Sequence, residues 1–430
     1  MMRKIRQIAL GALPVSLLRN RQARTARRAD SSGHKQLLVD VSAIAKADAG
    51  TGIQRVVRNL YRQLLLTPPA GYQVCPVMAT RKNFYRHVPG DFLQPGFTSS
   101  ASGTPIQVAE GDIFLGLDLS AHLIPHHLSE MREWKNQGVR MSFFIYDLLP
   151  VLQPQWFNPK ATQNFHRWLR AVAMLADDAI AISRTVQEDF GAWMQKHYGL
   201  SHADLPCATI PLGAELDQHG QPAELPPQIR SPFILMVGTI EPRKGYDEAL
   251  DAFGQLWNTD NQTQLVIVGK QGWKVEALVQ RLQVHPESGK RLIWLNQVDD
   301  SLLHDLYRHS LGILMASRGE GYGLPLIEAM HYNKPVLARD ISVFRDVAGA
   351  SISYFDGHTQ TRLERVLPLW LLKINQSGGV AYPIPSTWQQ ACTALLQALA
   401  VNVSDVHVSS VYRRTVLQKA SLRSSSQGGA

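Results

Sequence analysis

The chain has 430 residues, of which 45% are hydrophobic and 18% charged, with a formal net charge of +9. That composition excludes a disordered protein and leaves room for two cored domains. The charge excess sits at the two ends, where residues 1–30 hold seven Arg and one Lys against one Asp and residues 401–430 hold four cations against Asp405, so the near-neutral body offers no footprint for a nucleic acid.

In chain order, residues 1–34 form a basic arm whose apolar run, 8–18, is broken by Pro14. The run is too short to span a bilayer, and arginines rather than a small-residue cleavage site follow it. The arm fits a basic, partly apolar segment resting on an anionic membrane face, with a disordered tail and an export signal as alternatives. From "KQLLVDVSAI" onward, apolar β-branched runs alternate with helical patterns, the pattern of a parallel α/β domain. Strands are predicted at 37–41, 73–78, 112–117, 141–145, 179–182 and 207–210, with helices at 54–66, 122–136, 162–175 and 186–197. The proline-rich passage 213–232, "GAELDQHGQPAELPPQIRSP", reads as a linker. The alternation then restarts, with strands at 233–237, 264–268, 291–295, 312–315 and 335–338 and helices at 247–257, 275–282, 299–309 and 326–332. The expected fold is α/β: two Rossmann-like doubly wound domains, 35–212 and 233–385, facing across a cleft. A last amphipathic helix is predicted within 386–402, and the Ser/Gly-rich end, 403–430, reads as a disordered tail.

The stretch "SRGEGYGLPLIEAM" (317–330) sets Glu320 and Glu328 eight positions apart, with Gly321, Gly323 and Pro325 between them. It follows a buried-strand pattern and carries a first-turn proline, so it reads as a strand-to-helix loop at the carboxyl edge of a sheet, where open α/β sheets bind ligands. Glycines let backbone N–H groups approach an anion, and a helix start adds partial positive charge, which suits a diphosphate. With Glu320 in the loop and Glu328 early in the helix, the two acids could hold hydroxyls at the two ends of a nucleotide sugar; the plainer reading is a solvated loop acid and a helix cap. A dinucleotide fingerprint beginning at Gly319 fails, because its third glycine would have to be Leu324.

"SRGEGYGLPLIEAMHYNKPVLARD" resembles the Glu, seven residues, Glu signature of retaining GT-B glycosyltransferases of family 4. "ILMVGTIEPRKGYDEALDAF" is similar to that family's strand, glycine and Lys-Gly phosphate loop, "LVIVGKQGW" to its next strand and turn, and "WLNQVDDSLLHDLYRHS" to its nucleotide-side segment. "AIAISRTVQEDF" and "TIPLGAELD" resemble the family's strand-Ser-helix and interdomain crossover, so the likeness spans about 35–395. The resemblance implies that Glu320 holds hydroxyls of the donor sugar, Glu328 holds the ribose, and backbone N–H groups of Gly321, Tyr322, Gly323 and Leu324 meet the diphosphate. It further implies that Lys244 neutralises the leaving diphosphate and places Gly238, Thr239 and Val298 on the donor side, with Gly52 in a glycine loop beside donor and acceptor and Arg55 following it.

Two departures stand out. The family often has Arg where this chain has Thr239, and Arg243 could supply that charge, or lie on the surface. Its strand-end His is here Tyr146, which leaves acid-base or orienting work, or only a turn cap, to Asp147. "TGIQRV" with "GTIEPRKG" is most similar to bacterial mannosyl- and rhamnosyltransferases that build O-antigen or exopolysaccharide. The expected function is retaining transfer of a hexose, first of all mannose from GDP-mannose, to a growing polysaccharide or lipopolysaccharide glycan, with a lipid-linked acceptor explaining the basic arm. The expected place is the cytoplasm, against the inner face of the membrane. The alternatives are a sugar-nucleotide-binding protein without catalysis and a GT-B nucleotide-sugar epimerase. No cofactor and no obligatory metal are expected: Cys75, Cys207 and Cys392 lack a CxxC, and Asp177-Asp178 and Asp299-Asp300 sit where Asp caps elements. His122, His126 and His127, without a matching acid or thiol, are expected on a helix surface or in the cleft.

Overall fold

The computed structural model describes Val15 and residues 35–94, 103–216, 224–356, 362–376 and 380–400. The basic arm apart from Val15, the middle of the 213–232 passage and the C-terminal tail lie outside the described residues.

The first sheet contains β1 (Lys35–Asp40), β2 (Tyr72–Met78), β3 (Arg86–His87), β4 (Ile113–Gly116), β5 (Arg140–Ile145), β6 (Asp178–Ala181) and β7 (Cys207–Thr209). Their order is β3-β2-β1-β4-β5-β6-β7, parallel except for β3, which runs antiparallel to β2. The helices between them are α1 (Ser42–Lys46), α2 (Gly52–Leu66), α3 (Leu128–Asn136), α4 (Leu149–Leu152), α5 (Pro159–Leu175) and α6 (Arg184–Tyr198). The second sheet holds β8 (Phe233–Val237), β9 (Gln264–Val268), β10 (Leu292–Leu295), β11 (Gly312–Met315), β12 (Val336–Arg339) and β13 (Ser353–Phe355), all parallel in the order β10-β9-β8-β11-β12-β13. With it run α7 (Tyr246–Trp257), α8 (Glu276–Val284), α9 (Asp300–His309), α10 (Leu324–His331), α11 (Ser342–Ala348) and α12 (Leu363–Gln376), and α13 (Trp388–Ala398) closes the described chain.

Local chemistry explains the elements. Every residue of β4 and of β11 is buried, which is why parallel strands covered on both faces appear in sequence as unbroken apolar runs. Thr51 and Gln54 form a capping box that starts α2 at Gly52, so Gly52 is the first helical residue rather than part of the preceding loop. Asp299 caps α9 by accepting from Leu302 N at 2.8 Å. His127 departs from its expected surface place: it is fully buried, with Nε2 against Thr80 O at 2.6 Å.

The final helix joins the first domain. Trp388, Ala391, Cys392, Leu395 and Leu396 of α13, with Leu399 after it, belong to that domain's core, and each buried Leu adds roughly 1.5–3 kcal/mol over exposure. The chain therefore crosses between domains twice, and the crossings touch: Ala214 N donates to Ser386 O at 3.0 Å and Trp388 Nε1 to Glu215 O at 3.1 Å.

In both sheets the strand order reverses beside the first strand, β1/β4 and β8/β11, which opens a crevice at the carboxyl ends. In the first domain that point is filled by a buried polar knot. Asp40 accepts from Ser42 N at 2.9 Å and Tyr85 Oη at 2.8 Å, and Asp118 accepts from Ala43 N and Ile44 N at 2.7 and 2.8 Å, fixing α1 over the edge. Burial, with Asp118 adding to it, raises the Asp40 carboxyl from an ordinary 3.8 to about 7. Folded protein thus holds a proton that the unfolded chain has released, so this group's contribution to stability falls as pH rises from about 4 to about 7. Asp40→Asn removes that dependence. In chemical denaturation its stability relative to the native chain is expected to climb between about pH 5 and 7, by up to about 1.4 kcal/mol per pH unit; a difference flat with pH would contradict the raised carboxyl.

Candidate active site

Two loops leave the second sheet at its reversal point. After β8 the chain runs through Gly238 and Thr239 to Glu241, makes a 3-10 turn over Pro242–Lys244, and enters α7 from Gly245. After β11 it runs through Ser317, Arg318, Gly319, Glu320, Gly321 and Tyr322, and Gly323 precedes α10, with Pro325 in the first turn. The loops lie directly on each other. A Cβ on Gly245 would stand 2.3 Å from Ala316 O, so only glycine permits the approach. Arg318 N donates to Arg243 O at 2.7 Å, and its guanidinium binds Pro242 O at 3.0 Å and Asp247 Oδ2 at 2.9 Å.

That registration stacks charges in alternation. Lys244 Nζ and Arg243 Nη1 each lie 2.6 Å from an oxygen of Glu320; Arg243 Nη1 also donates to Gly319 O at 2.7 Å, while Nη2 holds Glu241 Oε1 at 2.8 Å. Burial pushes the Glu320 carboxyl up, but Arg243 and Lys244 outweigh it and hold the group at about 2. Asp147 lies half-buried beside the same cluster, accepts from Leu149 N at 3.0 Å, and has its carboxyl raised by desolvation against the pull of Arg243. Arg243 is therefore an interior side chain of the site, not a surface one.

The first domain closes over these loops. Gly321 O accepts from Ser183 Oγ at 2.7 Å, and a Cβ on Gly321 would stand 1.9 Å from Tyr146 O. Leu212 N donates to Tyr322 Oη at 3.1 Å, and Trp273 Nε1 to Trp156 O at 2.7 Å. Glu328, in the second turn of α10, is 2% exposed; it is ion-paired with Arg55 from α2 and accepts from Tyr307 Oη at 2.7 Å. Gly52 sits against Leu324, its Cβ direction 3.7 Å from the leucine side chain. Val298 packs partly buried on the second domain's apolar cluster, and Thr239 lines the turn near Gly272.

The structure thus brings together Glu320, Arg243, Lys244, Asp147 and the glycine turn, and places Glu328 with Arg55 one turn along α10. Sequence reasoning missed Glu241, Arg318 and Trp156. The acid-Pro-Arg-Lys order was the available signal for Glu241, because the residue before a proline is held extended and its side chain is set apart from the turn that follows. Among the described residues, no group of three or more His, Cys, Asp or Glu is arranged to hold a metal, and no helix is long and apolar enough to cross a membrane.

Two Rossmann-like domains that meet at a pair of glycine-bearing loops have the GT-B architecture, and known proteins agree. Residues 218–371 match the family model described as glycosyl transferases group 1, so this part of the chain, which carries Lys244, Glu320 and Glu328, is a group 1 glycosyltransferase domain. The serotype-specific mannosyltransferase WbdA of Escherichia coli is 36% identical over 390 residues, which cover 86% of this chain and 47% of the relative. The chain spans about half the length of the curated relatives it matches first. Among solved structures, Anabaena HepE in complex with UDP and glucose has a TM-score of 0.55 at 14% identity, covering 90% of this chain and 100% of that one. Sucrose-phosphate synthase of Thermosynechococcus elongatus has a TM-score of 0.54 at 18% identity, covering 91% and 99%. These two show the shared fold.

Gly321→Ala tests the seam. The added methyl is expected to cost about 1–3 kcal/mol of interdomain packing and to enlarge the radius of gyration in solution scattering, with circular dichroism unchanged. An unaltered radius would contradict the contact with Tyr146.

Proposed function

We propose that the chain is a retaining glycosyltransferase that moves a hexose, mannose from GDP-mannose in the first instance, from a nucleotide-diphosphate sugar to a growing glycan. The observation that carries this reading is the clasp of Glu320 by Arg243 and Lys244 at the seam of two domains. Two half-buried cations already paired with a carboxylate form a site built for an anion. A diphosphate brings more charge than one carboxylate and can take both cations by exchange.

In this reading the incoming diphosphate takes Lys244 and Arg243, with the N–H groups of the Gly321–Leu324 turn and the start of α10. Glu320, released from its partners, accepts hydrogen bonds from hydroxyls of the donor hexose. Glu328 exchanges Arg55 for the ribose hydroxyls. Charge that develops on the leaving diphosphate meets Lys244 and Arg243 in a site closed to water, so the reading asks for no obligatory metal. Asp147, the first domain's contribution to the cluster, would orient the acceptor hydroxyl. WbdA is a mannosyltransferase, and the likeness to it supports mannose as the sugar. A lipid-linked acceptor, with the basic arm resting on the inner membrane face, belongs to the same proposal.

The test is transfer of labelled mannose from GDP-mannose to a lipid-linked glycan in anionic vesicles. Glu320→Gln and Lys244→Ala are each expected to lower kcat by on the order of 10²–10³, and removal of residues 1–34 to lower the rate on vesicles but not on a free acceptor. Undiminished transfer in both point variants would refute the assigned roles; conversion of the sugar without any addition to a glycan would favour an epimerase.

A further inference from the structure

Glu241 stands out within the charge cluster. Its side chain is 4% exposed, and Oε1 is held 2.8 Å from Arg243 Nη2, yet Oε2 is buried with no hydrogen-bond partner. Glu320 differs: both of its oxygens are paired. A buried carboxylate oxygen without a donor is costly and persists where another state of the protein supplies one. The neighbours do not supply it. Arg243 spends its two terminal nitrogens on Glu320 and Glu241, Lys244 points to Glu320, and Asp147 is a further acid in the same cluster.

The position is informative too. Glu241 and Glu320 flank one guanidinium, on Nη2 and Nη1. Extended backbone ahead of Pro242 (φ −145°, ψ 159°) holds Glu241 apart from the 3-10 turn that carries the cations. A carboxylate beside the one proposed to bind donor hydroxyls, with an oxygen in need of a donor, matches a second hydroxyl of a polyol ring.

Resting on the reading above, we infer that Glu241 is a specificity-determining residue of the donor site, in which Arg243 fixes Oε1 and the buried Oε2 accepts a hydrogen bond from one hydroxyl of the transferred hexose. Arg243 is then shared between the phosphate and the sugar, and the hexose is read by two carboxylates. A donor lacking that hydroxyl leaves Oε2 unsatisfied in a closed site, so the residue selects against deoxygenated sugars.

The experiment is calorimetric titration of the full chain with GDP, GDP-mannose and its four monodeoxy analogues at carbons 2, 3, 4 and 6. The native chain is expected to bind the analogue that lacks the hydroxyl held by Glu241 roughly ten- to a hundredfold more weakly than GDP-mannose, the effect of one hydrogen bond to a charged group, besides any analogue that lacks a hydroxyl held by Glu320. In Glu241→Ala that difference collapses, while affinity for GDP stays within about threefold of native, less than a lost charged hydrogen bond would cost. Glu241→Gln, which keeps an oxygen for Arg243, retains GDP binding and loses most of the discrimination. Equal weakening of GDP and of every sugar donor in Glu241→Ala would make the residue only a support for Arg243 and overturn the inference. So would unchanged discrimination in both variants. Failure of the native chain to bind any of these nucleotides would instead overturn GDP-mannose as donor, and this inference with it.

Discussion

The site depends on one carboxylate held between two cations. Glu320 keeps Arg243 and Lys244 facing a common point in an interior where, without an anion, they would repel each other. Everything nearby serves that arrangement. Gly245 lets one loop lie on the other, Arg318 bonds them together, and the two reversal-point strands, β8 and β11, deliver both loops to one crevice. In the function proposed above, cations fixed in this way need little reorganisation when a diphosphate takes the place of the carboxylate, which is how preorganised charge contributes to both binding and transition-state stabilisation.

The same exchange connects chemistry to domain motion. Glu328 is bound to Arg55, and Gly321 rests on Tyr146 and Ser183, so both ends of the glycine turn are seated on the first domain. On the reading proposed above, a nucleotide sugar that takes over Glu328 and Glu320 loosens this seam and remakes it around itself. The paired crossings, with Ala214 bonded to Ser386 and α13 embedded in the first core, give a short double connection about which such a motion can occur.

Much of this was legible in the sequence. Strands buried on both faces leave continuous apolar runs, so β8, β9 and β11 were located at their ends and most other expected elements to within a few residues, although the helix expected from 122 begins at Leu128 after a 3-10 turn, and the short β3, β13, α1, α4 and α11 were not expected. The glycine turn and the EPRKG loop were legible because each needs special residues at fixed positions. What escaped depends on partners far away in sequence. α12 carries Pro368 inside it, a residue that argues against a helix until its packing on α7 is known. α13 read correctly as an amphipathic helix, but no local pattern says that its apolar face belongs to the first domain. Arg55 was noted only as a neighbour of the glycine loop, because its partner Glu328 lies 273 residues away. Glu241 had only the acid-Pro-Arg-Lys order as a signal, and its unsatisfied oxygen exists only in three dimensions.

The most direct test is a structure of the chain with a nucleoside-diphosphate sugar bound. The account predicts Lys244 Nζ and the Arg243 guanidinium within about 3 Å of phosphate oxygens, with Glu320 turned from both cations to the sugar. A bound nucleotide sugar that leaves the Glu320 clasp intact and lies elsewhere would contradict it.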